Sequence, residues 1–196
     1  MLSCLRRSTR GTTTGVRREA VYRCRDESIF AAPRRQCFAI IADLSTYARW
    51  WTLVAVTPEH GGPLLTPGVR FRFAGARPGG ELVEWSAEVL EVDEPACIEL
   101  AYAGGAYVGR TAWELDEVDG GTRIAYVYRG VSPLTSRAVD HFARWGTRLH
   151  SVAMREDAFA GLARFLGGAG SELDDDAWRM LVRERVATAI RALDRT

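Results

Sequence analysis

Aromatic side chains with one polar edge are the groups in this sequence best placed to do chemistry. Counting alternate positions through its apolar–polar stretches puts Phe71, Trp85, Tyr102, Thr111, Trp113, Tyr126 and Tyr128 on one face of a sheet. A phenol or an indole N–H removed from water needs a hydrogen-bond partner. An oily wall with a few fixed donors therefore suits a planar, partly oxygenated small molecule, and Tyr126 and Tyr128 are candidate catalytic donors. The plainer reading, that these rings simply fill a core, stands beside it.

Glu156 is the odd carboxylate. It falls on the apolar line of a helix, between Val152 and Phe159, where a charge is expensive unless paired or at an edge. An edge ion pair with Arg148 or Arg155 and a general base of raised pKa facing the interior are both open readings. Of the 3 histidines, His141, one turn before Trp145, is the candidate for proton transfer. His150 is half a turn out of phase with it and is not expected to face the same site. No HxxxH or acid-rich cluster supports the histidines, and no CxxC, GxSxG or Gly-rich loop after a parallel strand occurs, so neither a metal, a cofactor nor a nucleophilic mechanism is expected.

Composition bounds the rest. The chain has 196 residues, 47% of them hydrophobic and 26% charged, enough for one domain with a real core. A net charge of +1 gives no general attraction for nucleic acid or an anionic membrane, so no nucleic-acid partner is expected, while a local basic surface stays open. All 26 basic residues are arginine, a compositional bias. No apolar run reaches the eighteen or so residues of a membrane span. The 4 cysteines, widely spaced, read as small buried hydrophobes in a reducing, cytoplasmic compartment. Residues 1–18, rich in Arg, Ser, Thr and Gly, read as a disordered tail.

Several elements must position the candidate groups. A first strand over 21–30 is followed by Ala31-Ala32-Pro33, with proline where a helix would begin, and then by helices over 33–43 and 45–50. Adjacent Trp50 and Trp51 cannot share one helix face, so at least one is expected to turn away from the core beneath. Six further strands follow, over 53–59, 69–76, 82–93, 98–103, 107–117 and 122–129, parted by Gly- and Pro-rich turns too short for anything but antiparallel neighbours. Leu90 and Val92 break the alternation after Val89, which predicts a bulge. Arg70, Arg72, Glu84, Glu88, Glu99, Arg110, Glu114 and Arg129 form the outward, solvated set. A long amphipathic helix over 132–166 closes the unit, with Phe142, Trp145, Leu149, Val152, Phe159, Ala163 and Leu166 on its apolar line.

This order, with Ala42-Asp43-Leu44, Tyr47, Trp50-Trp51, Pro67-Gly68-Val69-Arg70-Phe71, Trp113-Glu114-Leu115, Gly120-Gly121-Thr122-Arg123-Ile124 and a terminal helix carrying Met154 and Leu162, resembles the START-like, helix-grip (SRPBCC) superfamily. Its bacterial members are often called polyketide cyclase/dehydrase or lipid-transport proteins. The resemblance implies an α+β fold over 19–168, in which a curved antiparallel sheet of about seven strands grips the long helix around a hydrophobic cavity. That cavity would be lined by the aromatic wall together with Trp145 and Leu149, with Tyr47, Trp50 or Trp51 at an entrance made movable by the 61–67 loop. Two functions follow: a cyclase or dehydratase-type enzyme needing neither metal nor nucleotide, or a carrier of a lipid, quinone or biosynthetic intermediate. Aromatase-type relatives place an arginine on the inner face of a middle strand, which Trp85-Ser86-Ala87-Glu88-Val89 lacks. Residues 169–196 add an amphipathic helix whose stripe over 171–194 packs on the domain, on a second copy of the chain, or on a membrane surface.

Overall fold

A computed structural model of the chain describes residues 21–76, 82–105, 107–131, 150–167 and 184. Seven strands, β1 (Val21–Phe30), β2 (Val54–His60), β3 (Arg70–Ala76), β4 (Leu82–Asp93), β5 (Cys97–Ala103), β6 (Val108–Val118) and β7 (Gly121–Val131), form one curved antiparallel sheet in the order β1-β7-β6-β5-β4-β3-β2. Between β1 and β2 lie α1 (Arg34–Ile41), a turn of 3₁₀-helix (Leu44–Thr46) and α2 (Tyr47–Trp50). The described part of the long helix runs from 150, passes through a π-helical segment, Met154–Phe159, and ends as α3 (Ala160–Leu166). This is the expected helix-grip fold. Residues 1–18, 132–149 and, apart from Glu184, 169–196 lie outside the described residues, and with them the tail, the first half of the long helix and the appended helix.

The alternation holds through the sheet. Phe71, Phe73, Trp85, Ala87, Val89, Ile98, Leu100, Tyr102, Thr111, Trp113, Leu115, Ile124, Tyr126 and Tyr128 are all buried on the concave face. The register slips between Val89 and Glu91, so Leu90 turns outward and is 36% exposed. That slip is the predicted bulge, and it adds local bend to a long strand. The convex face is less uniformly solvated than expected. Arg25, Glu114, Arg72 and Glu59 do form exposed or half-exposed ion pairs there, but Glu99 is buried beside Arg110, 2.8 Å away. Cys97, Ala112 and Val127 make a second small apolar cluster on that side. Cys24 and Cys37 are buried thiols, whereas Cys97 is disulfide-bonded, so the reading of all cysteines as reduced fails at that position.

Both adjacent tryptophans enter the core, contrary to the helical-face argument. Helix α2 ends at Trp50, and Trp51 takes a non-helical backbone (φ −112°, ψ 80°) that swings its ring back alongside, the two stacking at 5.8 Å. Both then pack edge-on against Trp113, and Tyr47, 1% exposed, packs on Trp50. The 61–67 loop is fastened: the Leu44 N–H donates to the Pro63 carbonyl at 2.8 Å, the Leu65 N–H to that of Ala42 at 2.7 Å, and Leu65 is buried.

The largest departure lies in the helix. A π turn closes i→i+5 hydrogen bonds and so carries one residue more than an α turn. Through Met154–Phe159 this rotates the chain away from the α-helical line Val152–Glu156–Phe159–Ala163: Met154, Asp157, Ala158, Phe159, Gly161 and Leu162 are buried, while Glu156 and Ala163 are exposed. Glu156 therefore does not face the interior, and Asp157 does. Two contacts fix the shifted phase. The Asp157 carboxylate accepts from the Thr52 hydroxyl and, at 2.8 Å, from the Leu53 N–H, and Gly161 lies so close to Trp50 that a Cβ there would fall 1.8 Å from the Trp50 carbonyl oxygen.

Candidate functional site

Register across the sheet brings the site together. Asp26 on β1 pairs with Tyr126 on β7, which pairs with Trp113 on β6. Tyr128 pairs with Thr111, Thr111 with Leu100, and Phe73 with Trp85. Side chains directly opposite on one face sit within about 5 Å at Cβ, so residues distant in sequence become one continuous wall of rings. Trp51 meets Phe73, Trp113 and Tyr126; Phe73 stacks on Trp85 at 5.0 Å; Tyr102 meets Phe73, Trp85 and Tyr128.

Hydrogen bonds divide this wall into closed and open groups. The Tyr47 hydroxyl donates to the Ile41 carbonyl at 2.9 Å, the Trp50 N–H to the Thr46 hydroxyl at 3.0 Å, Thr111 to the Val127 carbonyl at 2.8 Å, and Tyr128 to the Val108 carbonyl at 3.1 Å. With Phe71 fully buried beneath Phe73, Tyr47, Trp50 and Trp51 belong to the packed core and not to an entrance. Tyr102 and Tyr126 differ: their hydroxyls lie 2.8 Å apart and bond each other. Tyr126 is also hydrogen-bonded to Thr111. The Trp85 indole N–H, in a residue 8% exposed, makes no hydrogen bond of good geometry, and the Tyr102 hydroxyl is its polar neighbour.

Burial pushes the phenols of Tyr47, Tyr102, Tyr126 and Tyr128 above their ordinary pKa, because an unsolvated phenolate is expensive. At ordinary pH each is therefore a neutral hydroxyl, able to donate and unsuited to act as a base.

The structure also assembles a pair that sequence reasoning missed. Asp26, buried on the concave face, lies 3.0 Å from Nδ1 of His150, and the His150 ring stacks on Tyr126 with centroids 5.3 Å apart. With Nδ1–H donating to the carboxylate, a neutral His150 carries its lone pair on Nε2. Signals for both residues were present: Asp26 alternates with Cys24 and Phe30, and His150 stands one helical turn before Met154, in phase with that residue and not with Val152. His141, Trp145 and Leu149 lie outside the described residues.

Burial alone would raise the Asp26 pKa, yet hydrogen bonds from His150 and Ser151 and the charges of His150 and Arg155 outweigh it and hold the carboxyl below its ordinary value. A depressed carboxyl stabilises the fold above the unfolded pKa and loses that contribution as pH falls through the folded one. The melting-temperature gap between the wild type and Asp26→Asn, followed by circular dichroism, is expected to be open at neutral pH and to close below about pH 4. A gap that does not change with pH would show that Asp26 is not held ionised by the helix.

Among the described residues no group of three metal-ligating side chains converges, and no helix is long and apolar enough to cross a membrane. An open cleft of about 560 Å³ lies at the other end of the sheet, lined by Pro33, Arg34, Pro95, Glu117 and Gly121, and shares none of the aromatic wall.

The chain matches the family described as polyketide cyclase/dehydrase and lipid transport over residues 23–167. Among curated proteins, none matches it in sequence. Its structure is similar to Ms6760 from Mycobacterium smegmatis, with 22% identity over 74% of this chain and 91% of that one and a TM-score of 0.55. It is similar to TTHA0849 from Thermus thermophilus, with 16% identity, coverage of 76% and 99%, and a TM-score of 0.63. DynU16, a protein in the dynemicin biosynthetic locus, aligns over 78% of this chain and 50% of its own, with 16% identity and a TM-score of 0.51. At such identities the structural likeness speaks for the fold alone.

Proposed function

The chain belongs to the polyketide cyclase/dehydrase and lipid transport family, and on that premise we propose that it binds a hydrophobic, partly oxygenated small molecule between the concave face of its sheet and its long helix, acting on it as a cyclase or dehydratase. The observation that carries this reading is the Tyr102–Tyr126 hydroxyl pair, buried among apolar rings. Such a pair can hold a carbonyl oxygen and stabilise the enolate formed from it, while the rings around it fold a flexible chain into a reactive shape. Trp85 and Trp113 complete the wall, Tyr128 and Thr111 support it, and His141, Trp145 and Leu149 are proposed to face it from the helix.

A carrier of a lipid, quinone or biosynthetic intermediate is the second reading. It is favoured by the raised phenol pKa values, which supply donors without a base. Native mass spectrometry of the purified protein, with identification of whatever ligand is extracted, separates the two. Turnover of a synthetic poly-β-ketone, reduced about tenfold or more in Tyr126→Phe, is the outcome expected of the enzyme. Recovery of an unchanged lipid or quinone, with no turnover, would favour the carrier.

A further inference from the structure

We propose that the segment preceding β1 folds back over the convex face of the sheet and is fastened there by a disulfide between Cys4 and Cys97. The inference does not depend on what the protein binds, and it concerns the side of the sheet turned away from the long helix.

Burial marks the place. In an antiparallel sheet with one solvated face, burial alternates along each strand. Across the middle of three adjacent strands the alternation stops: residues 97–100 on β5, 111–113 on β6 and 124–128 on β7 are buried without a break. The outward members are Cys97, Glu99, Ala112, Ala125 and Val127, and none is more than 6% exposed. Register makes them one patch. Glu99 pairs with Ala112 and Ala112 with Val127, while Cys97 reaches Ala125 through Glu114. Alanine and valine are too short to cover one another on the outside of a sheet. Arg25 and Arg110 border the patch, with side chains 44% and 46% exposed. Among the described residues the helices pack on the other face, through Phe38, Trp50 and Phe159.

The cysteines identify the cover. Cys97 stands in the patch and is disulfide-bonded, whereas Cys24 and Cys37 are free thiols. The chain has 4 cysteines, so a bond within one chain leaves Cys4 as the partner, with Leu2 and Leu5 beside it to lie on the alanines. The reach is sufficient. In the sheet order β5 stands three strands from β1, and Cys97 is level with Glu27 through Glu114 and Ala125. At the spacings of a sheet this puts Cys97 roughly 25 Å from Val21. The chain from Cys4 to Val21 can extend about 55 Å, so it crosses the face with slack.

The bond forms by thiol–disulfide exchange. The Cys4 and Cys97 thiols give up their two hydrogens as the sulfurs join, and a small disulfide of the glutathione type is reduced and leaves as two thiols. A dithiol reductant runs the exchange backwards and releases the segment. Cys24 and Cys37 are already thiols, so such treatment acts on this bond alone.

The test uses the full chain equilibrated with oxidised glutathione, its free thiols then blocked with N-ethylmaleimide and the protein digested with trypsin without reduction. The peptide 1–6 is expected in covalent union with the peptide 73–110, the two separating on reduction. Cys97 recovered as a blocked thiol, capped by glutathione, joined to Cys24 or Cys37, or joined to a second copy in a dimer on non-reducing electrophoresis would overturn the proposal. Seating of the segment on the sheet is read separately, by native trypsin nicking at the arginines between positions 6 and 18. Nicking is expected to be about tenfold or more slower in the oxidised wild type than in Cys4→Ser, since a seated segment must open before it is cut. Equal rates would overturn the seating even with the bond in place.

Discussion

Gly161→Ala lowers the unfolding free energy by about 2–3 kcal/mol, the cost of forcing a methyl into a filled space. The sign is what makes the result informative. Within an α-helix the same change ordinarily stabilises, by roughly 1 kcal/mol, because alanine loses less backbone entropy than glycine. Here the added Cβ would lie 1.8 Å from the Trp50 carbonyl oxygen and 2.8 Å from its carbon, atoms of a backbone that has no side-chain freedom with which to yield. Either α3 or α2 must move, and α2 carries Trp50 and leads into Trp51, which touch Trp113 and Tyr126 in the wall. Urea unfolding should show a lower midpoint with an unchanged slope. A midpoint that stays the same or rises would mean that the helix does not ride on the backbone of Trp50.

Asp157→Ala is expected to cost about 3 kcal/mol, and Glu156→Ala at its side less than about 0.5 kcal/mol. Alanine at 157 leaves the Thr52 hydroxyl and the Leu53 N–H, both drawn inward to the carboxylate, without their acceptor. A buried donor stripped of its acceptor loses its full solvation. Glu156 is exposed, so any interaction it makes is screened by water and contributes little. The contrast between neighbours reads out the helical phase directly. Equal effects at the two positions, measured by the same unfolding experiment, would show that the π segment does not set which residue faces the core.

How much of this could be seen in the sequence depends on the element. Strands were legible because their period is fixed at two: once Trp85 is inward, Ala87 and Val89 follow, and only a bulge can change the count. The failure of that count at Leu90 was itself visible as two apolar residues out of step. Helical phase is less robust, because a single wide turn reassigns every residue after it, and nothing local in Met154–Phe159 marks an i→i+5 turn. The cause is tertiary: Thr52, Leu53 and Trp50, about a hundred residues upstream, select Asp157 and Gly161. The same holds for Trp51, whose inward turn depends on the helix ending one residue earlier. His150 is out of phase with His141 but in phase with Met154, and it is the second relation that places it. Of the candidate site, the inward aromatics were readable from spacing. Which of their polar edges remain open was not, since that depends on the carbonyls of Ile41, Val108 and Val127 that close the others.

Near the β5–β6 turn the sheet is bare of side chains, since Gly109 on β6 faces Gly130 on β7. Rings from neighbouring positions cover the bare backbone. The Tyr128 hydroxyl occupies the space a Cβ on Gly130 would need, and Tyr107 meets Tyr128 edge-on at 6.1 Å. The width of this rim is thus set by the torsions of aromatic side chains and not by the separation of strands. An exposed ring such as Tyr107 reorients in picoseconds to nanoseconds, whereas parting hydrogen-bonded strands is a microsecond or slower event. A molecule leaving by this route would wait on a side chain, and its residence time would be governed by how well it is held inside.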